Sequence, residues 1–130
     1  MLAWSAAFAA QPESMLIAKV GDKPVAYHVL GAGTGMPVLT INGGPGFAHD
    51  VLHLSSAWTA PGLSSHPIVF FDQPGTGRSW SVREGDPLTV SDVLDGMGAI
   101  QAALGARRLA VLGHSWGGYL ALAYAIVTTP

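Results

Sequence analysis

The chain has 130 residues, and its 6 lysines and arginines against 8 aspartates and glutamates give a formal net charge of −2. Hydrophobic residues make up 49% of the chain and charged residues only 11%, so disorder is excluded for most of it, and we expect neither nucleic acid nor a membrane as a partner. The absence of cysteine excludes disulfides, thiol catalysis and cysteine-based zinc sites.

The first ten residues, MLAWSAAFAA, are apolar and uncharged. Their Ala7–Ala9 stretch has the small-x-small pattern of a signal-peptidase site, but no basic region precedes it. Residues 1–14 are therefore interpreted as an N-terminal extension or as the remnant of a signal peptide. Ten apolar residues are too few to span a bilayer, which needs about 20. We expect a soluble, cytoplasmic protein, or an exported one if this segment is a signal remnant.

From Met15 onward, short apolar runs alternate with helical patterns, which predicts an α/β fold. A hairpin is predicted for Met15–Val20 and Val25–Leu30, joined by the turn-rich residues 21–24. Three short and almost wholly apolar runs are typical of strands buried on both faces of a mostly parallel sheet: Pro37–Ile41, Ile68–Asp72 and Leu109–Gly113.

Two helices are predicted to flank this sheet. Apolar residues recur at the 3.6-residue spacing of one helix face over Thr89–Leu104, with Asp92 placed for an N-terminal capping interaction and Gly105 at the expected C-cap. The second helical stretch, Trp116–Val127, is apolar almost all round, which is typical of a buried helix.

Glycine supplies 17 of the 130 residues, about twice the usual share, and much of it lies in three clusters that directly follow predicted strands. Open α/β sheets place their sites at the carboxyl ends of strands. The strongest cluster, GHSWG at residues 113–117, fits G-x-S-x-G between a strand and a helix. Such a turn would hold Ser115 in a strained backbone conformation and project its hydroxyl at a helix N-terminus, as a nucleophile requires. The alternative is an ordinary serine in a glycine-rich turn.

The second cluster is NGGPG at residues 42–46. With no side chain in the way, the backbone N–H of Gly43 or Gly44 can face a substrate carbonyl, and the N–H of Trp116 would complete an oxyanion hole. An ordinary turn is one alternative. A phosphate cradle is another, but the chain lacks the G-x-x-x-x-G-K-[ST] pattern and a nearby lysine.

The third cluster is DQPGTGRS at residues 72–79. A nucleotide-binding loop is one interpretation, but the third glycine that such a loop needs is absent. Asp72 is a candidate catalytic acid, although an ion pair or a turn-capping role is the favoured interpretation. Arg78 is then a structural partner for that carboxylate.

Together the three motifs resemble HGGPG, DQxGxGxS and GxSWG, which occur in this order in α/β-hydrolases of the proline iminopeptidase family. The resemblance extends over roughly residues 15–130. It implies the α/β-hydrolase fold, a small peptide or an amide or ester as substrate, and no cofactor or metal. It also implies three kinds of site residue: the nucleophile Ser115, the oxyanion-hole donors Gly43, Gly44 and Trp116, and the loop-framing residues Asn42, Asp72 and Arg78.

Two departures from that family stand out. Asn42 lies where the family usually has histidine. The triad of such hydrolases runs serine, acid, histidine along the chain, but none of the 15 residues after Ser115 is Asp, Glu or His. The resemblance therefore implies that residues 15–130 form the N-terminal part of a hydrolase domain, inactive alone. An esterase or amidase of the same fold and a non-catalytic binding module stay open as alternatives.

The five histidines all precede the candidate nucleophile. His114 adjoins Ser115, but neighbours across so tight a turn point apart, which disfavours it as the base. His49 and His53 have the i, i+4 spacing of a metal pair, but no third ligand is evident, so solvated or packed histidines are favoured. Without later strands, Leu109–Gly113 would be an open apolar sheet edge, through which we expect self-association.

Overall fold

The computed structural model describes residues 15–48, 56–59, 61–63 and 65–129. The predicted N-terminal extension and the segment with His49 and His53 lie outside these residues. Five strands form one sheet within the described part: β1 (Leu16–Val20), β2 (Lys23–Leu30), β3 (Val38–Ile41), β4 (Ile68–Phe71) and β5 (Ala110–Gly113). The α-helices are α1 (Val90–Ala103), before β5, and α2 (Trp116–Thr128), after it, and two 3-10 turns lie at Ser56–Thr59 and Pro61–Leu63.

The strand order across the sheet is β1-β2-β4-β3-β5. The β1–β2 hairpin is antiparallel and turns at Gly21, whose φ of +58° is a conformation that favours glycine. Strand β2 is also antiparallel to β4, whereas β3 runs parallel to both β4 and β5. The sheet is thus mixed, and its three parallel strands are the three predicted from apolar runs.

The apolar core lies between the sheet and the two helices. Helix α1 contacts β1 and β2, helix α2 contacts β3 and β5, and the helices touch each other, so both cover one face of the sheet. On the opposite face the ring of Trp58 meets that of Phe70 edge-on, with centroids 5.7 Å apart. Residues that are fully buried in the core include Val25, Leu39, Ile41, Phe71, Met97, Ile100 and Leu120.

Helix α1 begins and ends through local hydrogen bonds. The hydroxyl of Thr89 accepts from the backbone N–H of Asp92, and the Asp92 carboxylate accepts from the backbone N–H of Thr89, at 2.8 Å. This reciprocal pair is the predicted capping interaction. At the other end the C-cap is Leu104, one residue before the predicted Gly105, and Gly105 follows it with a φ of +63°.

Helix α2 is not buried all round as its composition predicts. Within it only Gly117, Leu120 and Tyr124 are buried, whereas Leu122, Ile126 and Val127 are 69%, 76% and 65% exposed. The reason is that no described element covers its outer face, and β5 beside it is the last strand of the sheet. Among the described residues, neither α1 nor α2 has the length and hydrophobicity of a transmembrane span.

Candidate active site

Three loops meet at the carboxyl ends of β3, β4 and β5, because these strands are parallel and end on the same side of the sheet. Ile41, the last residue of β3, pairs with Gly113, the last residue of β5. The N–H of His114 continues this ladder by donating to the carbonyl of Ile41, at 3.0 Å. The loop with NGGPG and the loop with GHSWG therefore start as direct neighbours.

Ser115 occupies the turn between β5 and α2. Its φ of 56° and ψ of −121° make it the one non-glycine residue with positive φ in the described part of the chain. It is the N-cap of α2 and exposed, and the N–H of Gly118 donates to its carbonyl at 2.8 Å. A serine held in such a conformation presents its hydroxyl at the positive end of the helix dipole.

Glycines before and after Ser115 are needed because backbone passes them closely. A Cβ at Gly113 would lie 2.0 Å from the carbonyl oxygen of Gly117, and a Cβ at Gly117 would lie 2.0 Å from that of Ile41. Neither distance is compatible with a side chain. The close approach seats the start of α2 directly on the end of β3.

Gly43 lies against the same turn. A Cβ built on Gly43 would lie 3.3 Å from both the Cβ of Ser115 and the Nδ1 of His114. Within the described residues the backbone N–H of Gly43 donates to no acceptor, and neither does that of Trp116, the first residue of α2. Two donors with no acceptor in the described part of the chain thus border Ser115. Gly44, the next residue of this loop, has a φ of +120°.

Asp72 is buried in the third loop, 1% exposed. Its Oδ2 accepts from the backbone N–H of Arg78 at 2.9 Å, and its carboxylate lies so close to Gly77 that a Cβ there would be 2.2 Å from Oδ2. The Arg78 residue itself is exposed. This geometry is that of a carboxylate closing a turn, and the roles assigned to Asp72 and Arg78 stay predictions.

Asn42 links the NGGPG loop to the start of the DQPGTGRS loop. It is 1% exposed, its Nδ2 donates to the carbonyl of Phe71 at 3.4 Å, and its Oδ1 has no hydrogen-bond partner among the described residues. Asn42 thus ties the end of β3 to the end of β4. Its loop-framing role also stays a prediction.

Two buried side chains of the third loop received no role from the sequence. Gln73, 2% exposed, donates from Nε2 to the backbone carbonyl of Asn42 at 2.8 Å. Ser79, 8% exposed, accepts from the N–H of Ala26 at 2.9 Å and donates to the carbonyl of Asp72 at 2.5 Å. Both residues lie inside DQPGTGRS, and that position was the only signal that could have singled them out.

Two tyrosines and one aspartate outside the glycine-rich loops have shifted pKa values. Burial raises the pKa of Tyr27 and of Tyr124, and hydrogen bonds from Thr89 lower the pKa of Asp92. The side chain of Ser115 makes no hydrogen bond to a described residue, so no base of the described part is hydrogen-bonded to it. Over the same residues, no group of three or more His, Asp or Glu side chains is placed to hold a metal ion.

Comparison with known proteins bears directly on this arrangement of loops. Residues 36–130, which include β3, β4, β5, both helices and all three motifs, match the sequence profile of the alpha/beta hydrolase fold. The chain belongs to the α/β-hydrolase family. Its expected fold is thereby confirmed, and the matched residues include the strained serine after β5.

Among α/β-hydrolases the chain is similar to proline iminopeptidases. It is 33% identical over 95 residues to that of Saccharolobus solfataricus, with 72% of this chain and 30% of the relative covered. With that of Xylella fastidiosa it shares 37% identity over 100 residues, covering 76% and 30%. The crystal structure of proline iminopeptidase from Mycobacterium smegmatis superposes with a TM-score of 0.77 at 29% identity, covering 88% of this chain and 40% of that one. The chain thus spans about a third of the length of these curated relatives.

Proposed function

We propose that this α/β-hydrolase chain carries the nucleophile and the oxyanion hole of a serine hydrolase that cleaves amide bonds. The observation that carries the proposal is Ser115, held at φ 56° at the start of α2 with Gly43 against it. A non-glycine residue adopts that conformation only where the surrounding structure enforces it, and such strain is concentrated at functional sites.

In the proposed reaction the Oγ of Ser115 attacks the substrate carbonyl carbon, and the C=O electron pair moves onto oxygen. The N–H groups of Gly43 and Trp116, which donate to no described residue, would stabilise that oxyanion, with Gly44 as the alternative donor in the same loop. A base takes the hydroxyl proton and passes it to the leaving amine, after which water hydrolyses the acyl-enzyme. No cofactor or metal is needed for these steps.

The base and its acid are proposed to come from outside these 130 residues. No Asp, Glu or His follows Ser115 in the chain, and the chain spans about a third of its curated relatives. An unactivated serine hydroxyl is a weak nucleophile at neutral pH. We therefore expect the 130-residue chain to be inactive by itself.

The proposed substrate class follows from the relatives, whose printed name is proline iminopeptidase. We propose an aminopeptidase that releases N-terminal proline from a small peptide. An esterase or amidase of the same fold would share Ser115 and the same donors, so substrate preference separates these activities.

A fluorophosphonate probe tests the proposal directly. The reading frame that contains this chain, expressed to its stop codon, should be labelled rapidly at Ser115, and Ser115→Ala should abolish the labelling. The 130-residue chain should label at least a hundredfold more slowly. Equally rapid labelling of the short chain would refute the proposed external base, and no labelling of the longer protein would favour a non-catalytic module.

Substrate profiling of the longer protein completes the test. Prolyl anilides, anilides of other amino acids and short-chain esters should be compared by kcat/KM. A preference for prolyl anilides supports the aminopeptidase, whereas a preference for esters, with labelling of Ser115 intact, would replace it by the esterase.

A further inference from the structure

A buried hydrogen bond joins the DQPGTGRS loop, residues 72–79, to the backbone of the NGGPG loop, residues 42–46. The Nε2 of Gln73 donates to the carbonyl oxygen of Asn42 at 2.8 Å, across 31 positions of sequence. Both residues are nearly inaccessible, 2% and 1% exposed, so water does not compete for the bond. A polar group buried this deeply costs free energy unless it is paired, which makes the bond persistent.

The carbonyl that Gln73 holds belongs to the peptide unit that carries the N–H of Gly43. A trans peptide is planar, with its C=O and N–H pointing in opposite directions. Fixing the Asn42 carbonyl toward Gln73 therefore fixes the Gly43 N–H on the side away from Gln73. That N–H has no acceptor among the described residues, and Gly43 lies against Ser115.

Gln73 is itself held rigidly. The backbone N–H of Thr76 and its hydroxyl both donate to the carbonyl of Gln73, at 2.9 Å and 2.7 Å. The loop closes further where the N–H of Gly75 donates to the carbonyl of Trp80, at 2.8 Å. The donor that holds the Asn42 carbonyl is thus anchored by the turn that follows β4.

We propose that Gln73 is a positioning residue of the hydrolase site, which aims the Gly43 N–H at the developing oxyanion. The inference rests on the proposed function, since it concerns the same oxyanion hole. Gln73 touches no reacting atom in this scheme and acts only through the Asn42–Gly43 peptide. Its loss should lower kcat and leave KM nearly unchanged, because an oxyanion donor acts in the transition state rather than in substrate binding.

The experiment compares Gln73→Met with Thr40→Val in the protein expressed from the full reading frame. Methionine has nearly the shape of glutamine but cannot donate. Thr40 is a matched control: it is 1% exposed on β3, two residues before Asn42, and its hydroxyl donates to the carbonyl of Val69 at 3.0 Å. Each variant loses one buried hydrogen bond between a side chain and the backbone, but only Gln73→Met removes the bond that orients the Asn42–Gly43 peptide.

We expect Gln73→Met to lower kcat about tenfold or more with KM within about twofold, since removing a donor outright costs roughly 10²–10³ and mis-aiming one costs less. Thr40→Val should keep kcat within about twofold of wild type. Equal kcat in both variants would overturn the positioning role. A wild type that is not labelled at Ser115 would instead overturn the proposed function, and the inference with it.

Gln73→Glu adds a readout that a purely structural role would not move. A protonated carboxyl can donate to the Asn42 carbonyl, whereas an ionised one cannot and repels it. Burial raises the pKa of a carboxyl, so the kcat of Gln73→Glu relative to wild type should rise as the pH is lowered from about 8 to 5. The ratio of Gln73→Met to wild type should stay flat. A flat ratio for Gln73→Glu would also overturn the proposal, and this test stands even if Gln73→Met does not fold.

Discussion

Two adjacent glycines at the start of α2 should respond to alanine in opposite ways. A Cβ at Gly117 would lie 2.0 Å from the carbonyl oxygen of Ile41 and 2.7 Å from that of Asn42. A Cβ at Gly118 would meet only the carbonyl oxygen of Gly113, at 3.7 Å, an ordinary contact. Comparing the two variants therefore distinguishes the steric effect of the close approach between α2 and β3 from the general effect of alanine in a helix.

The expected change in the free energy of unfolding follows from these distances. The Cβ of Gly117→Ala falls about 1.4 Å short of ordinary contact with backbone that cannot rotate away, so α2 and β3 must move apart. Overpacking costs typically 1–3 kcal/mol, and we expect about 3 kcal/mol here because both sides are main chain. Gly118→Ala should instead stabilise by about 0.5–1 kcal/mol through the lower entropy of the unfolded chain.

Urea unfolding followed by tryptophan fluorescence measures both effects. With a slope of about 1–3 kcal/mol per molar urea, Gly117→Ala should lower the midpoint by at least about 1 M, while Gly118→Ala should raise it slightly. The titrations must be repeated over a range of protein concentrations, since association would make the midpoint depend on concentration. Equal midpoints for the two variants would refute the close approach of α2 to β3.

Three further perturbations test other parts of the fold. Ser79→Ala should destabilise by about 1–3 kcal/mol in urea unfolding, because two buried backbone groups lose their partner; an unchanged midpoint would contradict this. A hydrogen bond from the Thr89 hydroxyl, and secondly one from its backbone N–H, lower the pKa of Asp92 below its ordinary value of 3.8. The ionised carboxylate therefore stabilises the folded protein above that pH, and this stabilisation is lost as the pH falls through the lowered pKa. Asp92→Asn should lack that acid-side loss in thermal unfolding from about pH 5 to 2, and an unaltered profile would exclude the cap as its source. The short chain should self-associate through the open sheet edge at β5 together with the exposed face of α2 beside it, and Leu122→Lys with Ile126→Lys should shift sedimentation toward monomer; a wild-type monomer would refute this.

Much of the fold could be predicted from local patterns. Short apolar runs located β3, β4 and β5 to within one residue at each end, and the capping interaction at Thr89 followed from spacing alone. The G-x-S-x-G pattern indicated a strained turn, and Ser115 has the positive φ that such a turn requires. These features depend on residues that are close in the sequence, so local sequence patterns are enough to predict them.

The exposure of α2 could not be predicted in the same way. Its apolar residues predicted a buried helix, but burial depends on which other elements cover it, and no described element covers its outer face. Leu122 and Ile126 are apolar but exposed. The composition of a helix shows which of its residues could be buried, and does not show which elements pack beside it.

The sequence by itself determined the three glycine-rich loops, their places after apolar strands and the serine that they surround. Only the tertiary structure decided which loop contacts which. The order β1-β2-β4-β3-β5 makes β3 the neighbour of both β4 and β5, and this brings Gly43 against Ser115 and Gln73 onto the Asn42 carbonyl. The physical reason is separation: Gln73 and Asn42 are 31 positions apart, so their bond follows from how the strands pair and leaves no periodic pattern in the chain.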